Sequence, residues 1–86
     1  MHLYPPVDGV ELVPWPAEAP RAHELHARGN AALLLVAPGA APPVVRDPLE
    51  DWVRLPAPPA DVDVRARRLA QLATTRPSRT GSGVRA

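Results

Sequence analysis

Asp51-Trp52-Val53-Arg54-Leu55-Pro56, with Ala57-Pro58-Pro59-Ala60-Asp61-Val62 behind it, decides how this chain is read. Trp52 to Leu55 is a short strand-forming run that stops at a proline, a residue with no N–H to continue a ladder. Asp61 to Thr75 then places Val62, Ala66, Leu69 and Ala73 at offsets of zero, four, seven and eleven, the spacing of one apolar helix face. A strand passing at once into an amphipathic helix predicts the end of a small α/β domain.

Working back along the chain, Ala31 to Val36 is a continuous apolar run bounded by turn residues. It predicts a central parallel strand covered on both faces. Val10 to Trp15 alternates, with Val10 and Leu12 on one face and Glu11 and Val13 on the other. Pro14 and Pro16 restrict it to a sheet edge or end it there. Ala17 to Arg28 holds good helix formers, with Pro20 tolerable only in the first turn. Its thin apolar stripe is Ala22, Leu25 and either Ala19 or His26, and Glu24 and Arg28 form a supporting pair four residues apart. Gly29-Asn30 is the expected stop, because both residues accept the left-handed conformation that closes a helix. The expected architecture is therefore α/β, βαβ followed by βα, with a small three-stranded, mostly parallel sheet and two main helices.

Residues 1–9 read as an extended lead-in ending in a turn at Asp8-Gly9, and residues 10–76 as the folded domain. Ala37 to Pro48 carries Pro38, Pro42, Pro43, Pro48 and Gly39 and is a Pro-rich loop, with Val44-Val45 as a short extended contact. Residues 77–86 lack periodicity and read as a disordered tail or linker.

Composition narrows the function classes. Eighty-six residues make one small domain with a marginal core. Phenylalanine is absent and much of the apolar content is alanine, so Trp15, Trp52 and Leu33-Leu34-Leu35-Val36 carry much of the burial. Thirteen prolines are roughly three times the usual share, and they fall between the apolar runs rather than inside them. All ten basic residues are arginine, which with the abundant alanine and proline suggests a G+C-rich genome. A net charge of +1 gives no global field for nucleic acid or an anionic membrane. The absence of cysteine excludes disulfides and thiol chemistry. No apolar run approaches the roughly 20 residues that span a bilayer, so a cytoplasmic protein without membrane contact is expected.

The segment Asp51 to Arg68 resembles the last strand and last helix of response-regulator receiver domains. That family runs acid-acid-aromatic, two or three residues, Lys-Pro, then an acidic start to a helix bearing Arg-x-Arg. Here Glu50-Asp51-Trp52, Leu55-Pro56, Asp61-Val62 and Arg65-Ala66-Arg67 occupy those places. Glu24 to Pro38 resembles the third helix and fourth strand of that fold, and Glu11-Leu12-Val13 the strand before them. The resemblance implies a truncated receiver-like, flavodoxin-like unit, with the first two strands missing and the fourth helix replaced by the Pro-rich loop. It departs from a working receiver in its chemistry. The phosphoacceptor place falls on Trp15 or Pro16, the lysine place on Leu55 and the Ser/Thr place on Val36-Ala37, and no acidic pair precedes the first strand. The chain most resembles the abridged receiver-like domain ahead of the winged helix in actinobacterial transcriptional regulators. No winged helix follows in these 86 residues, so the tail reads as the start of a linker, or the chain as a shortened product of such a gene.

The residues offer few candidate sites. His23-Glu24-Leu25-His26 is one residue short of the zinc-binding His-Glu-x-x-His spacing, and both histidines read as ordinary surface residues. Asp47, Glu50, Asp51, Asp61 and Asp63 read as caps and helix-dipole partners rather than a cation site. Gly81-Ser82-Gly83 is no phosphate loop, lacking the lysine and the preceding strand. No nucleophile stands paired with a base, so neither catalysis nor a cofactor is expected. The expected function is protein contact, with a protein partner or self-association through the second helix and third strand. Trp52 is the expected anchor, with Arg54, Arg65 and Arg68 around it, and DNA would be reached only through a winged-helix domain. The alternative is a free-standing ligand- or metal-binding module using the loop at Pro38-Gly39.

Overall fold

A computed structural model describes Tyr4 and residues 6–75. The chain forms β1 (Val10–Trp15), α1 (Ala19–Ala27), β2 (Ala31–Val36), β3 (Glu50–Arg54) and α2 (Pro59–Thr75). The three strands lie in the order β1-β2-β3 and both ladders are parallel. This is the expected α/β arrangement. All six residues of β2 are buried, as a central strand with both faces covered requires.

Alternation of side chains along β2 creates two cores. Ala31, Leu33 and Leu35 join Val10, Val62, Ala66 and Leu69, so α2 covers one face. Ala32 and Leu34 join Val13 and Ala22, so α1 covers the other. Leu33 and Leu34 are fully buried on opposite faces, and each contributes about 1.5–3 kcal/mol of apolar burial.

β1 is an edge strand, as its prolines require. Trp15 accepts from the Ala37 amide, so alternate residues Glu11, Val13 and Trp15 turn their backbone groups toward β2. Pro14 therefore faces the open edge, where its missing N–H costs no ladder bond.

α1 closes as its sequence suggests. Gly29 has φ +74°, its amide bonds His26 O, and the Asn30 amide bonds Leu25 O at 2.9 Å, which satisfies the last carbonyls. The helix begins at Ala19 rather than Ala17, with Glu18 at its N-cap. α2 begins at Pro59 rather than Asp61. Proline suits a first turn because its absent N–H would have had no partner there. β3 likewise begins two residues earlier than Trp52, because Glu50 and Asp51 already pair with Ala32 and Leu33.

Two expectations need correction. The lead-in is part of the fold: Tyr4 is buried in the α2-side core, its hydroxyl donates to Ala57 O at 3.0 Å, and Val7 packs nearby. The Asp8-Gly9 turn that links it to β1 is present, with Gly9 at φ +86° and the Val10 amide on Val7 O. Val44-Val45 makes no extended contact: Val44 is 84% exposed and the loop forms no strand. Arg76 and the tail expected over residues 77–86 lie outside the described residues. Among the described residues no helix is long and apolar enough to cross a membrane.

Candidate interaction surface

The structure divides the four expected surface residues between two sides of the sheet. Trp52 and Arg54 share the α1 face because they stand two apart on β3, whereas Asp51 and Val53 face α2. Trp52 is half-buried against the Val13, Ala22 and Leu34 core. The Arg54 guanidinium lies 5.6 Å from its ring centroid and donates from Nη1 to Ala40 O at 2.7 Å and Ala37 O at 3.3 Å. Arg54 thus clamps the Pro38-Gly39 turn at the C-terminal edge of the sheet. Arg65 and Arg68 belong to α2 on the other side, with Arg65 bonded to Asp51 next to Trp52 on β3.

α2 presents its own surface. Asp61, Val64, Arg68 and Leu72 recur at helical spacing and are all exposed, Val64 to 66%. Neighbouring charges are already paired, Arg67 with Asp63 at 2.8 Å and Arg65 with Asp51 at 3.3 Å. Among the described residues, Asp61 and Arg68 have no ion-pair partner. Grooves flank this crest. One, of about 510 Å³, runs between α2 and the loop, with Val45, Pro48, Leu69 and Leu72 as its apolar lining. The other, of about 830 Å³, separates α2 from the lead-in at Pro6, Val7 and Asp8. Arg68 borders both.

The loop wall of the first groove is held from the α1 face. Arg46 donates from Nε and Nη2 to the Glu50 carboxylate, and its amide donates to the same group. Glu50 is buried, and its hydrogen bonds hold the Arg46 guanidinium above its ordinary value. Arg46 also reaches Ala22 O and donates from Nη1 to His23 Nδ1 at 2.7 Å. Asp47 accepts from the Leu49 amide through Oδ1, and its Oδ2 faces His26 Nδ1 at 3.0 Å. His23 is exposed and His26 half-buried, and each meets one residue of the loop. Their three-residue spacing puts both on one side of α1, and Arg46-Asp47 offers a donor and an acceptor opposite them.

The remaining titratable groups act locally. Arg21 pairs with Glu18 and Glu11, and hydrogen bonding to Glu18 together with the field of Glu11 holds its guanidinium above the usual value. Among the acidic residues considered for a cation, Glu50, Asp51 and Asp63 each face an arginine. Among the described residues no three His, Cys, Asp or Glu side chains converge on a point that could hold a metal. At the end of β1, Trp15 is half-buried beside Leu34, its ring edge-on to His23 at 6.4 Å. At the end of β3, Leu55 packs into the α2-side core.

No protein-family model, curated protein or solved structure matches this chain.

Proposed function

We propose that this chain is a non-catalytic, receiver-like regulatory domain of a winged-helix-type transcription regulator, working by self-association through α2 rather than by aspartyl phosphorylation. The observation that carries this reading is the α2 crest. Asp61 and Arg68 stand seven residues apart on one helix face, without ion partners among the described residues and with exposed Val64 between them. An antiparallel second copy about a two-fold axis beside Val64 sets each Asp61 against the other chain's Arg68 and Val64 against its equivalent. Such an isologous contact satisfies both charges with one patch. In this reading DNA contact belongs to a winged-helix domain and not to α2.

The receiver-like parentage is supported by three parallel strands in chain order with the two helices on opposite faces, matching the consecutive strands that the sequence resembles. Its chemistry is absent from the corresponding places. By the resemblance the acceptor place falls on Trp15 or Pro16, neither of which can take a phosphoryl group, and the lysine place falls on Leu55, which packs inward. Incubation with acetyl phosphate and magnesium is expected to leave the intact mass unchanged. Gain of an acid-labile phosphoryl group would refute the reading.

A further inference from the structure

We infer that His23 and Arg46 form a proton-sensitive latch between α1 and the loop wall of the α2 groove. A guanidinium has donors and no acceptor, so the 2.7 Å contact requires a lone pair on His23 Nδ1 and places the ring proton on Nε2. A protonated His23 has no lone pair and puts a second cation against Arg46. Arg46 cannot relieve that conflict by losing its proton, because the buried Glu50 carboxylate holds it through two side-chain bonds. His23 is the member of the pair able to change charge. The latch is closed with His23 neutral and open with it protonated.

The surrounding charges leave this balance to the pair. From β3, Glu50 faces Arg46 rather than His23. From β1, His23 meets the uncharged Trp15 ring. On α1 itself, Glu24 is engaged by Arg28, while His26 faces Asp47 of the loop. Glu50 keeps the loop tied to β3 in either state of the latch. Arg46 and Asp47 also line the groove against Leu69 and Leu72, so opening of the latch reaches its wall. The latch stands without a partner for the groove, and its regulatory meaning rests on the α2 contact proposed above.

Nuclear magnetic resonance on the purified full chain tests it between about pH 8 and pH 5, the interval in which histidine changes charge. The Arg46 Nε–H resonance and the Val45 amide are expected to shift with the midpoint of the His23 ring signals. His23→Gln, which retains a neutral acceptor, is expected to abolish those shifts, and His26→Gln to preserve them. Because His23 is exposed, its replacement leaves the core intact. Arg46 signals that stay flat while His23 titrates, or that move equally in His23→Gln, would overturn the latch. Arg46 movement with no change at Val45 would overturn its coupling to the groove. Since no partner is required, failure here is separate from failure of α2 self-association.

Discussion

Arg46 grips the buried carboxylate of Glu50 through Nε at 3.1 Å and Nη2 at 2.6 Å, closing the Pro-rich loop onto the start of β3. The pair is unequal: the Glu50 side chain is 4% exposed, whereas that of Arg46 is 27% exposed and can turn to water. Arg46→Ala leaves the buried Glu50 carboxylate with only the backbone amide of residue 46 and is expected to cost about 1–3 kcal/mol, more than Glu50→Ala. Urea unfolding of both variants and the double variant checks this, with the double losing less than the sum of the singles.

Tyr4 makes the lead-in part of the fold. Tyr4→Phe keeps the ring in the core and removes the bond to Ala57, for an expected loss of about 1 kcal/mol in urea unfolding. Tyr4→Ala removes the ring as well and is expected to cost about 3 kcal/mol or more, by analogy with large aromatic truncations.

Arg54 is a clamp on the Pro38-Gly39 turn rather than a docking residue. Arg54→Ala frees the carbonyls of Ala37 and Ala40 to water, so the expected loss is modest, about 1 kcal/mol. Trp52 fluorescence should report it, because the guanidinium over the ring is lost in the folded state.

Gly29→Ala tests the α1 terminus. A left-handed backbone at φ +74° disfavours a Cβ, and the expected cost is about 1 kcal/mol in thermal or urea unfolding.

The strands were legible because their signals are local. An unbroken apolar run between turn residues predicts a strand covered on both faces, and Pro14 and Pro16 predict a strand that lies at an edge or ends there. The Val62, Ala66 and Leu69 stripe likewise predicts the buried face of α2. What depends on distant partners was not legible. Nothing in residues 1–9 signals that Tyr4 reaches Ala57, more than fifty positions away. Glu50 reads as one acid of an acidic run until the loop folds Arg46 back onto it. Nearness in sequence groups Trp52 with Arg65 and Arg68, and the alternation of β3 sends it to the other face. Asp61, Val64, Arg68 and Leu72 stand in the same helical repeat, but periodicity points first to the buried face, and its exposed complement carries the candidate surface.

The α2 crest is tested most directly by sedimentation equilibrium of charge-exchanged chains. The original chain is expected to self-associate, with Asp61→Arg and Arg68→Asp each weakening the association by setting like charges opposite one another, while circular dichroism shows each variant still folded, with at most a small loss at the start of α2 for Asp61→Arg. Combining the two substitutions is expected to restore association, because opposite charges then face each other again across the two-fold axis with their signs exchanged. A chain that is monomeric throughout, or a double exchange no better than either single, would contradict the account.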